Sequence, residues 1–394
     1  MSQQEPASPS PDANGSPGGP RNKTEAQQVS ARVQKILQEL GSAAQRIIDL
    51  SYVEMELNEA QLVGEAIASS QHLEVLVLQL DPVHEPDEEE SDDEDHSWPN
   101  DTVLRTAFLG PRPNTSVRSL IIEGSGTDGD FMRLGVLPQV IRENSNLTKL
   151  EFQWKGVDGT GRRETLELFD SLISNTTLRT LVLPSFERWD YPDPEDGGFI
   201  DADTFSRVVK LVESNTTISH LDLHIGECRG PGSADLNLPA FYAALRSNSS
   251  IRIIRLRGYF LKRNAEAEFL DWIRTSATLE ELDIESLGEW AQDEDEEPLR
   301  YELFFRALRE NKSLKKLVLD GSSADSDSDF RELMDALTVN STLQEVVFEP
   351  DSDHGEAPHS DLDSIGPCGP RSWNERIKGQ AASRPNRSAM FGRV

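Results

Sequence analysis

A short pattern of apolar residues recurs along the chain and constrains its fold more than any other feature. Each copy has an apolar residue, two variable residues, a second apolar residue, one variable residue and a third apolar residue. Nine copies begin at Leu73, Val117, Leu147, Leu178, Ile218, Ile251, Leu279, Leu314 and Leu343. A degenerate copy with Ile48 and Leu50 in its last two places precedes them. Successive copies start 28 to 44 residues apart, which indicates a repeat array with insertions.

The second half of each unit is predicted to be a helix. Apolar residues fall thirteen, ten, nine and six places before the next copy, which places them on one helical face. Three examples are Phe205/Val208/Val209/Val212, Leu238/Phe241/Tyr242/Leu245 and Phe330/Leu333/Met334/Leu337. A strand followed by a helix cannot bury its apolar side alone, so the units must stack. The sequence therefore predicts an α/β solenoid, a horseshoe with parallel strands on the concave face and helices on the convex face.

An asparagine stands three places before the motif in seven of the nine copies. These residues are Asn114, Asn144, Asn175, Asn215, Asn248, Asn311 and Asn340. We expect them to adopt a left-handed conformation that ends the helix, a role Asn fills second only to Gly. Several, including Asn175 and Asn215, also match the glycosylation acceptor pattern. The turn interpretation is favoured because Asn follows the repeat period and no secretion signal precedes it.

Between about residues 45 and 350 these units resemble the ribonuclease-inhibitor-like class of leucine-rich repeats. The resemblance implies a horseshoe that binds proteins. Two departures matter: members usually place a regular Asn or Cys shortly after the strand, and this chain does not, and it has only two cysteines. The implied fold therefore carries over better than any named ligand.

The ends of the chain differ in composition from the repeats. Residues 1–24, rich in Pro, Gly and Ser, are predicted to be a disordered tail. The repeat domain is assigned to residues 25–350 and includes an N-terminal capping helix that ends near Leu40. Residues 351–394 are predicted to be a second disordered tail, whose last part, from Arg371, is basic. That part is interpreted as a solvated tail, with folding back on the acidic protein or a targeting signal as alternatives.

Charge and cysteine content restrict the partners. The formal net charge is −31, which repels nucleic acid and attracts basic proteins. Two cysteines are too few for a disulfide framework, and no long apolar segment indicates a membrane span. We expect a monomer inside the cell, in the cytoplasm or the nucleus, that binds another protein, with a basic protein as the favoured class. No cofactor, nucleic acid or membrane is expected to bind.

Four long insertions follow strands and must leave the solenoid from one rim. They cover residues 81–99, 184–200, 224–237 and 286–298. The first carries an acidic run, the acidic rim, which comprises Glu88, Glu89, Glu90, Asp92, Asp93 and Glu94. Such runs are either solubilising or recruit a basic partner, and the sequence leaves both open.

Enzyme and metal chemistry find little support. Asp325, Asp327 and Asp329 alternate as in a calcium loop, but the required Gly and Glu are missing, so a helix start is the better interpretation. His220, Asp222 and His224 alternate on one strand, yet nearby arginines argue against a metal. No phosphate loop or nucleophile elbow occurs in a suitable context, so we expect no enzyme.

Two further functions stay open. A GTPase-activating protein of the Ran type is built from similar repeats, but no catalytic Arg or Asn can be assigned here. An acidic chaperone of basic nuclear proteins would account for the net charge and the acidic runs.

The concave face is the predicted partner surface. Residues two and four places after the first apolar position of each copy point away from the core. An apolar half is formed by Val75, Val77, Ile121 and Val182. A charged half is formed by His220, Asp222, His224, Arg255, Arg257, Glu281, Asp283 and Glu285. Asp222, Arg255 and Asp283 are expected in one cross-strand row, and His224, Arg257 and Glu285 in the next. A self-satisfied ladder of ion pairs is the competing interpretation.

Overall fold

The fold was analysed in a computed structural model of the chain. It describes residues 29–79, 82–83, 98–124, 131–132, 134–153, 162–185, 202–225, 236–258, 260, 265–284, 301–320 and 327–349. The acidic rim, both chain ends and most of each insertion lie outside these residues.

Twelve strands are found in the described part of the chain, and ten of them form one parallel sheet. The strands are β1 (Ile47–Asp49), β2 (Val75–Gln79), β3 (Pro82–Val83), β4 (Ser119–Glu123), β5 (Phe131–Met132), β6 (Lys149–Gln153), β7 (Thr180–Ser185), β8 (His220–Ile225), β9 (Ile253–Gly258), β10 (Glu281–Ile284), β11 (Lys316–Asp320) and β12 (Glu345–Glu349). The parallel sheet follows chain order from β1 to β12 and omits β3 and β5, which pair antiparallel with each other. Sequential order in a parallel sheet is what stacked repeats require.

Helices alternate with the strands of the large sheet. They are α1 (Ala31–Leu40), α2 (Leu57–Ser69), α3 (Pro99–Leu104), α4 (Leu137–Glu143), α5 (Arg162–Ser174), α6 (Ala202–Ser214), α7 (Leu238–Ser247), α8 (Glu266–Thr275), α9 (Tyr301–Glu310) and α10 (Asp327–Val339). A π-helical turn at Arg105–Leu109 continues α3. The start of α10 at Asp327 agrees with the helix-start interpretation of the Asp325–Asp329 alternation. The predicted α/β repeat solenoid is confirmed.

The recurring apolar positions form the core between sheet and helices. In the central repeats Leu181, Leu221 and Ile254 are paired side by side on neighbouring strands and are almost fully buried. The degenerate first copy behaves in the same way, because Ile48 pairs with Leu76 and both are buried. The repeat register predicted from the sequence is therefore correct across the whole array.

The asparagine of each repeat has a different role from the predicted one. Asn144 and Asn248 have φ of −81° and −70° with extended ψ, and Tyr52 is the one non-glycine residue with positive φ among the described residues. The expected left-handed conformation is therefore wrong. The Asn215 side chain instead accepts hydrogen bonds from the backbone amides of Thr217 and Ile218, at 2.9 and 3.0 Å. Its amide donates to carbonyl oxygens of the preceding repeat. The side-chain amides of five other asparagines do the same, so six of the seven join two units: Asn114, Asn175, Asn215, Asn248, Asn311 and Asn340.

The two repeats without this asparagine use serine. Ser70 Oγ accepts from the Leu73 amide and Ser276 Oγ from the Leu279 amide, each at 3.3 Å. A serine hydroxyl replaces only the accepting half of the asparagine, because it is too short to carry the amide that reaches the preceding repeat. These two junctions therefore lack the amide contact that six of the seven asparagines make with the preceding repeat.

The N-terminal end of the solenoid is covered by α1, as predicted. Val33, Ile36 and Leu40 are buried in the common core. The helix is fixed at its start by Glu59 of α2, whose carboxylate accepts from the Ser30 amide at 2.6 Å and from the Glu56 amide at 3.2 Å. The hydrogen bond from Ser30 is the main reason that the pKa of Glu59 lies below its usual value.

Candidate partner-binding face

The open face is the side of the large sheet opposite the helices. Side chains alternate along a strand, so residues that flank the buried leucines lie on this face. The register places one row across all ten strands: Asp49, Val77, Ile121, Glu151, Val182, Asp222, Arg255, Asp283, Val318 and Val347. This row contains six of the twelve predicted partner-binding residues.

The predicted apolar half of the open face lies on the N-terminal strands, where Lys149 and Glu151 are interspersed among the apolar residues. Val75, Ile121 and Val182 are half-buried, and Ile47 on the first strand is 53% exposed. Val77 keeps only 9% of its surface, because it lies between the flanking strands β1 and β4. The apolar half is therefore accessible through Ile47, Val75, Ile121 and Val182, and only slightly through Val77.

An ion-pair triad lies at the middle of the charged half. Arg255 Nε lies 3.2 Å from Asp283 Oδ2, and Arg255 Nη1 lies 3.7 Å from Asp222 Oδ2. The two carboxylates are 7% and 8% exposed, whereas the arginine is more accessible. The predicted cross-strand row is thus present, and the triad carries a net negative charge.

His220 lies two residues before Asp222 on β8, on the same face of the sheet. Burial lowers the pKa of its imidazole, and the positive charge of Arg255 lowers it further, against the opposing effect of Asp222 and Glu281. Its Nε2 is shielded from solvent and has no hydrogen-bond partner in the described part of the molecule. Burial and Arg255 therefore favour the neutral form of the imidazole. No group of three or more His, Cys, Asp or Glu side chains placed to hold a metal ion is found among the described residues.

Two further ion pairs on the open face were missed by the sequence analysis. Lys149 Nζ contacts Glu151 Oε2 at 2.5 Å within β6, and Lys316 Nζ contacts Glu281 Oε1 at 2.8 Å between β11 and β10. Burial alone would raise the pKa of Glu151, but hydrogen bonds from Lys149 and Gln153 bring it below its usual value. The sequence contained a signal for both pairs. Lys149 and Glu151 are two places apart on one strand, and Glu281 and Lys316 occupy the same repeat position on neighbouring strands.

The second predicted charged row is described only in part. His224 pairs with Arg257 on the neighbouring strand, as predicted, and both are half-buried. Glu285 lies outside the described residues, as do all residues of the acidic rim. Among the strand side chains that the structure describes, seven acidic and four basic ones lie on the open face, at Asp49, Glu123, Lys149, Glu151, Asp222, Arg255, Arg257, Glu281, Asp283, Lys316 and Glu345.

These features define the class: an α/β repeat solenoid whose open face carries accessible apolar side chains on its N-terminal strands and an ion-pair triad centred on Arg255 further along the sheet. No family model matches the chain, and no curated protein matches it. A solved structure of Leiomodin-1 Actin-Binding Site 2 (ABS2) has 13% sequence identity, and the match covers 49% of this chain and 76% of that one. Its TM-score is 0.22, which is too low to support a conclusion about fold or function. No helix in the described ranges is long and apolar enough to span a membrane.

Proposed function

We propose that the chain is a non-catalytic scaffold or regulator that binds a partner protein through the open face. The observation that carries this proposal is the accessible apolar patch at Ile47, Val75 and Ile121. Across Glu151 it is followed by Val182, which lies beside the net-negative triad around Arg255. Contiguous apolar surface on a folded protein often marks an interface. The partner that fits is a protein segment with apolar residues beside a basic group.

The same face offers little for catalysis. The carboxylates of Asp222 and Asp283 are occupied by Arg255, and Glu151 and Glu281 are occupied by lysines. Ion pairs of this kind stabilise a surface by about 1 kcal/mol or less each, so a basic partner can compete for the acidic members. Electrostatic attraction of that kind mainly raises the rate of association and its dependence on salt.

A comparative capture experiment tests the proposal. Wild-type protein, the double variant Ile121→Lys/Val182→Lys and a control with Glu213→Lys, which lies on the exposed surface of α6, are used in parallel on cell lysate. Proteins retained by wild type and control but lost with the open-face variant are purified, and their affinities are measured. We expect at least about a tenfold loss for the open-face variant, with the melting temperature unchanged. Equal affinity for all three proteins would exclude the open face as the docking site.

The acidic rim is tested separately because it lies outside the described residues. Deleting residues 84–96 should slow association with a basic partner, most strongly at low ionic strength. Equal association rates at low salt would leave the rim with a solubilising role only. The identity of the captured proteins also separates the alternatives, because a small GTPase or histones would each point to a different class.

A further inference from the structure

A row of residues crosses the large sheet along the edge at which its strands begin. In each repeat the member of this row follows the first apolar position of the motif and directly precedes the strand. Backbone hydrogen bonds from amide to carbonyl join successive members across the middle of the sheet, at 2.8 or 2.9 Å. Before β4, β6, β7, β8 and β9 the row consists of Arg118, Thr148, Arg179, Ser219 and Arg252, called here the arginine row.

The three arginines of this row are exposed, and the fold leaves most of their charge without a counter-ion. Within the described part of the chain, the Arg118 side chain makes no hydrogen bond or ion pair. The Nη1 atom of Arg179 donates to four carbonyl oxygens of its own turn and the next one, at 3.2 to 3.4 Å. Arg252 lies 3.2 Å from Glu280, which also binds Lys315 at 2.7 Å, so two cations share one carboxylate.

The residues on both sides of the arginine row contain no acid. On one side lie the uncharged turns, rich in Ser and Thr, at 114–116, 144–146, 175–177, 215–217 and 248–250. On the other side lie the first residues of the same strands, Ser119, Lys149, Thr180, His220 and Ile253. An acid-free basic band therefore crosses five strands of a chain whose formal net charge is −31.

The surrounding acids weaken this band only slightly. Glu151 and Asp222, further along the strands, are already paired with a lysine and an arginine of the open face. Glu143 and Glu213 belong to the helices that precede the turns. The acidic rim follows the end of β2, at the opposite edge of the sheet from the arginine row. A five-residue strand is roughly 17 Å long, about two screening lengths at physiological salt.

The spacing of the arginines indicates the shape of a ligand. Arg118 and Arg179 precede strands that are two apart in the sheet, and so do Arg179 and Arg252. Neighbouring strands lie about 4.8 Å apart, so successive arginines start about 10 Å apart. A peptide in the polyproline II conformation has three residues per turn and advances about 3.1 Å per residue, so every third side chain points the same way about every 9 Å. The two repeats match closely enough for flexible arginine side chains to absorb the difference.

The residues between the arginines suit a peptide backbone. The Thr148 and Ser219 hydroxyls donate to the backbone carbonyls of Arg118 and Arg179, at 3.2 Å each. Each hydroxyl oxygen can still accept a hydrogen bond. A peptide in the polyproline II conformation has no internal hydrogen bonds, so its amides are available as donors to these oxygens.

We propose that the arginine row binds an acidic segment of a partner protein, in the polyproline II conformation, with Asp or Glu at every third position. Each guanidinium donates two hydrogen bonds to one carboxylate. A nucleic acid fits less well, because its charge continues beyond the row and meets the acidic remainder of the protein. The arginine row and the apolar patch at Ile47, Val75 and Ile121 use different side chains, so the two proposals can fail separately.

Fluorescence anisotropy with labelled peptides and the full chain tests the spacing. The probe repeats Asp-Pro-Pro four times, because proline holds the polyproline II conformation. The comparison peptide contains the same residues with all aspartates in one block. We expect the periodic peptide to bind at least about fivefold more tightly, because only it engages the three arginines together. Equal binding of the two peptides, or no binding of the periodic one, would overturn the proposal.

Charge reversals locate the binding site. Arg118→Glu/Arg179→Glu should weaken binding of the periodic peptide at least about tenfold. The control Lys210→Glu/Arg331→Glu makes the same change of formal charge at exposed positions of α6 and α10, and should weaken it less than about twofold. Arg118→Glu alone removes no contact of the fold, so it should reduce affinity with an unchanged melting temperature. Full affinity in Arg118→Glu, or an equal loss in both double variants, would exclude the arginine row as the site.

Discussion

The side-chain amide of Asn215 donates a hydrogen bond to the backbone carbonyl of Asn175, at 2.9 Å, and so connects the same position of two successive repeats. Asn248 donates to Asn215 in the same way at 3.0 Å, and Asn340 to Asn311 at 3.1 Å. The asparagines are buried, so each hydrogen bond satisfies a carbonyl that water cannot reach. Registration between repeats is thus set by polar side chains as well as by the apolar core.

Replacing Asn215 with alanine should destabilise the protein by about 2 to 4 kcal/mol, because buried amides and carbonyls on both sides lose their partners. Asn215→Ser should cost less, since serine keeps the accepting function, as Ser70 does. Denaturant unfolding of the two variants gives the comparison. Equal losses of unfolding free energy in the two variants would mean that the hydrogen bonds accepted by the Asn215 side-chain oxygen do not contribute to stability.

The converse change should stabilise the protein. In the preceding repeat junction, the Asn248 amide donates to the carbonyls of Val212 and Asn215. The equivalent carbonyls for position 276 are those of Leu245 and Asn248. Ser276→Asn places a side-chain amide where it can reach them. We expect a gain of about 1 kcal/mol. Thermal melting checks it, with the exposed substitution Ser249→Asn in the neighbouring turn as the control. A lower midpoint for Ser276→Asn would contradict the proposed role.

Leu221→Asp should cost more than about 4 kcal/mol, because the new carboxylate would lie unpaired between Leu181 and Ile254. Lys210→Asp, a charge change on the exposed side of α6, should leave the melting midpoint nearly unchanged. Circular dichroism melts of both variants are sufficient. An unchanged midpoint for Leu221→Asp would be incompatible with the repeat register.

Glu59→Ala should release the N-terminal cap. The change removes the carboxylate that holds the Ser30 and Glu56 amides, at a cost of about 1 kcal/mol. Hydrogen exchange should accelerate in α1 and remain unchanged in β8. Glu54→Ala, which removes the same charge from an exposed neighbour, serves as the control.

Acidification should destabilise the region around His220. Its pKa is lower in the folded chain than the usual 6.5, so the unfolded chain binds more protons below that pH and stability falls as pH decreases. Lowering the pH from about 7.5 to about 5.5 should therefore reduce the melting temperature of His220→Gln by less than that of wild type. His72→Gln, at an exposed position, controls for histidine number. The same loss in wild type and His220→Gln would rule out this contribution.

The sequence predicted the apolar framework well because burial imposes a strict period. Leu221 and its equivalents, the first strand at Ile48 and the row formed by Asp222, Arg255 and Asp283 all follow from that period. The conformation of the asparagines was predicted wrongly, because the acceptors of their side-chain amides lie in the preceding repeat, 29 to 47 residues away. The substitution of asparagine by serine at Ser276, and the anchor at Glu59, depend on such long-range contacts too.

The asparagine contacts also limit the route by which this protein can be made. Six of the seven asparagines, all except Asn144, are followed two places later by Ser or Thr, and in five of these the hydroxyl contacts the asparagine oxygen. The recurrent sugar-acceptor sequence is therefore a by-product of the hydrogen bonds within the turn that each asparagine closes. A nascent chain that received glycans at these positions could not stack its repeats, because the modified amides have to be buried. Directing this chain through a host secretory pathway should yield misfolded protein, whereas synthesis away from that machinery leaves every junction free to close.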